Sequence, residues 1–231
     1  MSPGVPRPVA PGPAVPGIVG LVSVNVARPA FLGLHRGQPV TSGIAKEPVA
    51  AEWLELDWVN LEGDGQADLE VHGGEDKAVY AYPSEHLAHW SADLGQDLGP
   101  AAFGENLTTA GWTEVDVGIG DLWGWGDAVL EVCQPRWPCY KLGMHRGDPG
   151  LPARFRASGR TGWYLRVLAP GRVPVAGPLV AAERHPEGLT VLDAHEARLA
   201  GPSDPRFARL LALAPLSEEW KHSLRRLVTD R

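Results

Sequence analysis

Apolar positions over the first 182 residues come in short clusters separated by glycine and proline, and a helical period emerges only beyond residue 188. Ile18 to Val26 is a β-branched run, and Leu54-Glu55-Leu56-Asp57-Trp58 alternates apolar with acidic residues. Alternation of that kind sets one face of a strand on a core and the other in water. Lys77 to Tyr82, Val115 to Ile119, Ala128 to Cys133 and Gly162 to Leu168, bounded by Gly or Pro, read as further strands. Ser84 can cap a helix running through Trp90, with Pro83 just before it. Many short strands without regularly alternating helices predict a closed or partly closed β-barrel over a doubly wound sheet.

Beyond residue 188, Thr190, Ser203 and Ser217 each precede a helix-like stretch: Val191 to Leu199, Pro205 to Leu213 and Glu218 to Val228. Pro205 stands in a first-turn position, and Trp220, Leu224 and Leu227 keep helical spacing. The expected fold is therefore mainly β, α+β overall: a barrel over residues 18–182 followed by a small three-helix domain over 183–231. The first seventeen residues hold six prolines and read as a disordered or extended polyproline tail. Pro8 to Ala27 is free of charge over twenty residues, nominally a membrane length, yet Pro8, Pro11, Pro13 and Pro16 break it. Asn25 also stands where a signal-peptide cleavage site needs a small residue.

Composition narrows the function. A hydrophobic share of 44% over 231 residues supplies a sizeable core and excludes wholesale disorder. A net charge of −7 is the wrong balance for gripping duplex nucleic acid through its phosphates. Two cysteines, Cys133 and Cys139, make neither a disulfide scaffold nor a CxxC pair, so a reducing, cytoplasmic setting is expected.

The charge is segregated. From Glu47 to Leu130 there are eighteen acids and one cation, Lys77; from Glu131 to Arg172 there are eight cations and two acids. This is either two solvated faces of opposite sign or a basic pocket for a small phosphate-bearing anion in an acidic body. Seventeen of the 21 cations are Arg, and the lysines are Lys46, Lys77, Lys141 and Lys221. In a chain that uses Arg so freely, a retained Lys suggests a need for a compact ammonium.

No GxxxxGK or GxSxG is present, and the glycines at Gly118 and Gly120 precede another strand rather than a helix. His86 and His89, three apart on the predicted helix, read as a solvated face more readily than as metal ligands. The segment Gln134-Pro135-Arg136-Trp137-Pro138-Cys139-Tyr140-Lys141 is denser in chemistry. Two prolines fix its backbone around a thiol flanked by Arg136 and Lys141, and nearby cations favour a thiolate that attacks electrophiles or binds metal. Simple burial of Cys139 is the competing reading. Cys133, beside Val132 on a strand, reads as core. In Val71-His72-Gly73-Gly74-Glu75-Asp76-Lys77, paired glycines flanked by His72 and Lys77 form either a ligand-approaching loop or a tight turn.

The segments SGIAKEPV, GDGQADLEVHGGEDKAVYAYPSEH, FGENLTT, IGD and LEVCQPRWPCYKL occur in this order and together resemble the signature of MOSC-domain proteins, the YiiM-like branch in particular. The resemblance covers about residues 18–182, and the helical tail is similar to that branch's small C-terminal domain. It implies a barrel-like fold and the molybdenum cofactor, a pterin with a dithiolene and a phosphate. It also implies reduction of N-hydroxylated substrates such as hydroxylaminopurines, with electrons from a separate partner reductase. Cys139 matches the cysteine that ligates molybdenum, and Lys46, His72, Lys77, Asn106 and Arg136 fall in segments expected to line the cofactor pocket. The proline-rich tail and Cys133, where serine is expected, depart from the family pattern. A sulfur carrier working through a Cys139 persulfide, or a module that only stores or delivers the cofactor, are the alternatives. Neither nucleic acid nor a membrane is an expected partner.

Overall fold

The computed structural model describes residues 17–67 and 73–229. The proline-rich tail through residue 16 and His72 lie outside the described residues. Strands β1 (Gly17–Val26), β6 (Val79–Pro83), β7 (Leu107–Ala110), β8 (Leu122–Trp125), β9 (Ala128–Pro135), β10 (Trp163–Ala169) and β12 (Leu179–Glu183) form the main sheet in the order β12-β8-β9-β10-β6-β7-β1. It closes into a barrel because β1 pairs with β12 as well, Ile18 opposite Val180. Strand β4 (Glu47–Pro48) adds to the far end of β1. All these pairings are antiparallel except β6 with β7, Ala81 opposite Leu107. Two ribbons stand outside the barrel: β2 (Ala30–His35) with β3 (Gln38–Ser42), and β5 (Trp53–Leu56) with β11 (Gly171–Pro174).

Strand β6 is buried on both faces, which divides the core. Val79 and Ala81 join Leu107, Trp123, Leu130, Val132, Trp163 and Leu165 in one cluster. Tyr80 and Tyr82 join a second cluster with Trp90, Phe103, Leu142, Leu151 and Phe155. That second layer belongs to α1 (Leu87–Leu94), α2 (Tyr140–Arg146) and α3 (Leu151–Ser158), packed outside the barrel wall. The C-terminal helices α4 (Val191–Ala200), α5 (Phe207–Ala212) and α6 (Glu218–Thr229) send Leu210, Trp220 and Leu224 into the first cluster, so they share a core with the barrel.

The predicted strands at β1, β5, β6, β9 and β10 are present, with ends shifted by a few residues. Val115 to Ile119 is not a strand. Asp116 Oδ2 accepts from the Thr113 amide (2.9 Å) and Asp121 Oδ2 from the Gly118 amide (2.8 Å). These local carboxylate bonds curl the segment into turns, while Val117 and Ile119 still bury fully. Ser84 opens a 3₁₀ turn, Ser84–His86, ahead of α1 and makes no side-chain cap. Thr190 does cap α4, in a capping box with Asp193. In the middle helix Arg206 stands at the N-cap and Ser203 lies in a separate 3₁₀ turn, so the helix is shorter than its apolar pattern suggests. Ser217 Oγ accepts from the Trp220 amide (3.1 Å) at the start of α6.

Candidate functional site

The segment that leaves β9 is tied down before it reaches Cys139. Pro135 pairs with Trp163, and the Arg136 amide donates to the Gly162 carbonyl (3.1 Å). Cys139 then sits extended at the N-cap position of α2, half-buried, and its thiol makes no cap bond. It opens into a cleft of about 300 Å³ between the barrel and the C-terminal helices.

Lys46, Lys77, Asn106, Arg136 and Cys139 all line this cleft, although up to 93 positions separate them in sequence. Three of the four lysines are here, Lys141 being the third. The loops that carry these groups meet through glycine. A Cβ on Gly43 would lie 2.6 Å from the Gly65 carbonyl oxygen. Gly104, with φ +80°, leaves no room for one beside Ile44 (2.6 Å). The described chain resumes at Gly73, and Ala67, on the other side of the His72 segment, lines the cleft as well.

Asp64 organises the barrel side. Its carboxylate ion-pairs with Lys46, accepts from the Ala27 amide (2.9 Å) and accepts from Asn106 Nδ2 (2.8 Å). Asn106 Oδ1 in turn accepts from the Tyr80 amide (3.0 Å), and its Nδ2 also reaches the Asn25 carbonyl (3.3 Å). The amide of Asn106 is thus committed to holding the wall. Burial pushes the Lys46 ammonium below its usual pKa, while Asp64 and then Glu105 act in the opposite direction.

Arg136 differs from Lys46. Its guanidinium is buried, has no carboxylate partner among the described residues, and donates to the Tyr80 hydroxyl (3.2 Å). It rests over the rings of Tyr80 (4.7 Å) and Phe155 (5.5 Å). Burial works against its charge, but Tyr80, Tyr164 and Cys139 around it raise its pKa overall. Tyr80 stays protonated because burial lifts its hydroxyl well above the ordinary range, and it donates to the Thr161 carbonyl (2.8 Å).

The basic stretch is split by the fold: Arg136 and Lys141 face the cleft, whereas Arg166 pairs with Asp76 and Glu131, and Arg154 with Asp93 and Asp148. Cys133 is fully buried, donates to the Asp76 carbonyl (3.1 Å), and is pushed up in pKa by that burial. The core reading of Cys133 holds. His86 is occupied by Glu114 (2.7 Å) and His89 packs on Trp90, so neither points to a metal. Among the described residues no three His, Cys, Asp or Glu side chains are grouped as a metal site.

Several cleft residues carried no sequence signal: Tyr164 on the barrel side, and Arg198, Glu219 and Ser223 from α4 and α6; Trp137, inside the Cys139 segment, lines the cleft as well. Glu219 ion-pairs with Lys77 across the cleft. The tail reads from sequence as a packing appendage, yet it forms a wall of the site. The start of α6 is fastened there: the Ser217 hydroxyl donates to Gln134 and the Ser217 amide to the Cys133 carbonyl (3.1 Å).

Comparison with known proteins agrees with this architecture. The family profile of the MOSC domain matches residues 68–180. The uncharacterized protein YflK of Bacillus subtilis is 41% identical over 204 residues, which cover 88% of this chain and 91% of that one. Protein YiiM of Escherichia coli is 40% identical over 195 residues, covering 82% and 85%. The crystal structure of YiiM from Geobacillus stearothermophilus superimposes with a TM-score of 0.76 at 32% identity, covering 91% of this chain and 99% of that one.

Proposed function

The chain belongs to the MOSC-domain family, and from that premise we propose that its cleft binds the molybdenum cofactor and reduces N-hydroxylated compounds such as hydroxylaminopurines. One observation carries the reading: a half-buried thiol, Cys139, shares a cleft with a buried cation, Arg136, that no carboxylate among the described residues neutralises. A buried guanidinium without a counter-ion favours an anionic occupant, and a thiolate is a soft ligand suited to molybdenum. A dithiolene-bearing pterin brings ligands of its own to a metal, so one protein thiolate suffices to complete the attachment.

In this mechanism Cys139 Sγ would ligate the metal, and Arg136, Lys46 and Lys141 would balance the negative charge of the pterin's phosphate and dithiolene. When bound, the cofactor supplies the two-electron chemistry that converts an N-hydroxyl group and two protons to an amine and water. The electrons come from a separate reductase in the cytoplasm. Asp64 and Asn106 hold Lys46 and the Tyr80 strand in place, so the chain presents its charges without rearranging. The Tyr80 hydroxyl keeps its proton and accepts from Arg136, orienting that guanidinium toward the cleft.

Metal and pterin analysis of protein purified from a molybdenum-replete host tests the reading directly. One molybdenum and one pterin per chain, both lost in C139S, is the expected result. Protein that takes up labelled sulfur on Cys139, passes it on and never holds molybdenum is a sulfur carrier instead. Cofactor binding without turnover of any N-hydroxylated base identifies a delivery module.

A further inference from the structure

The helical wall places in the cleft a cation to which the mechanism above gives no task. Arg198, in the last turn of α4, sits in the corner between two indoles set at 86° to each other. Its guanidinium carbon lies 3.9 Å from the centre of the Trp137 ring and 4.8 Å from that of Trp220. Other arginines of the C-terminal region are tied to carboxylates: Arg206 to Asp193, Glu196 and Asp204, and Arg209 to Glu187. Arg198 has no hydrogen bond or ion pair among the described residues. Aromatic rings hold a guanidinium by its charge and leave its N–H donors unspent.

We propose that Arg198 recognises a phosphate group on the substrate of this cleft, so that an N-hydroxylated purine is taken as its nucleotide rather than as the free base. The proposal deepens the reading above and rests on it for the purine; the anion comes from the cleft itself. Among the described residues five cations line the cleft, against the two carboxylates of Asp64 and Glu219. Arg136, Lys46 and Lys141 are assigned above to the cofactor's phosphate and dithiolene, and Lys77 is paired with Glu219, which leaves Arg198 for a second anion. Burial drives the Arg198 pKa down to about 10, Glu219 acting against the shift and Arg156 with it. A bound phosphate restores the lost solvation with charge-assisted hydrogen bonds in the forked geometry that Arg offers. Trp137, which carries the guanidinium, is two residues from Cys139, so the anion is anchored close in sequence to the reacting thiol.

Calorimetric titration of cofactor-free and cofactor-loaded protein with inorganic pyrophosphate, adenosine 5′-monophosphate and adenosine tests the proposal. Pyrophosphate has no purine, so its binding reports on Arg198 independently of the reaction. In the loaded protein, both phosphate-bearing probes should bind at least tenfold more tightly than adenosine. R198Q should weaken both at least tenfold and leave adenosine unchanged. R198K should fall between, because it keeps the charge and loses the planar fork. Thermal melting of each variant establishes that it is folded, and a folded R198K serves even if R198Q is not. Phosphate-probe binding by the cofactor-free protein that vanishes on loading would assign Arg198 to the cofactor's own phosphate and overturn the nucleotide. Pyrophosphate bound equally by wild type and R198Q, or by neither, overturns the anion site altogether and leaves Arg198 as a packing bridge between α4 and α6.

Discussion

The two walls of the cleft are built on opposite terms. On the barrel side, Asp64, Lys46, Asn106, Asn25 and the Tyr80 backbone satisfy one another in a buried network. On the helical side, Arg198 rests on two indole faces, and Glu219, 59% exposed at its side chain, reaches across to Lys77. A saturated network fixes a shape before any ligand arrives, whereas unspent donors await one. Substitutions in the barrel wall should therefore appear first as lost stability, and substitutions in the helical wall as lost affinity.

The sharpest contrast is expected at the thiols that flank the barrel wall's exit. C139S should lower reduction of an N-hydroxylated base, driven by a chemical electron donor, by at least about a hundredfold, since oxygen is a harder ligand than sulfur. C133S should retain most of the activity, because its hydroxyl can donate to the same Asp76 carbonyl. Full activity in a folded, cofactor-loaded C139S would break the mechanism. Next in size, N106A leaves the Tyr80 amide and one oxygen of Asp64 without their partners and should cost about 2–4 kcal/mol in urea unfolding. R198Q in the same assay should lose less than about 1 kcal/mol. Equal losses would abolish the distinction between the walls.

A pH series tests the helix that Cys139 leads. Burial, then Arg146 and Arg136, hold His145 down to about 4, so the unfolded chain binds a proton there that the folded chain refuses. The stability owed to neutral His145 is complete above about pH 6.5 and is lost as the pH falls toward 4. H145Q should flatten that part of the profile relative to wild type, an effect of about 1–2 kcal/mol once its partial exposure is allowed for. The smallest effect is expected at the bridge between the walls. E219Q should change stability by less than about 0.5 kcal/mol, and added salt should erase the difference.

Legibility in the sequence followed locality. Strand β1 is a β-branched run, β9 and β10 are apolar segments between Gly or Pro breakers, and Thr190 and Ser217 announce α4 and α6 by their hydroxyls. The β2–β3 ribbon was hidden because Gly33 and Pro39 interrupt it and Phe31 and Leu34 face outward. Gly143 and Pro152 likewise concealed α2 and α3. At the site, Cys139, Arg136, Lys46, Lys77 and Asn106 each sit in a recognisable segment, so their gathering in one cleft could be expected. Asp64 lay inside one such segment without standing out, because its importance is its three partners rather than its neighbours in sequence. Arg198 and Glu219 reach the cleft only because α4 and α6 dock beside it, a long-range event that no local pattern records.

The barrel's closing seam has a kinetic meaning. Gly17–Val19 must wait for Leu179–Ala181 before the seam can zip, so some 160 residues have to be made and brought round first. A nascent chain on the ribosome carries an open sheet with an unpaired apolar edge on β1 through most of its synthesis. The helices that wall the cleft follow the seam in the chain and emerge later still. A chain released before α6 thus presents a sticky edge and a cleft that lacks one of its walls.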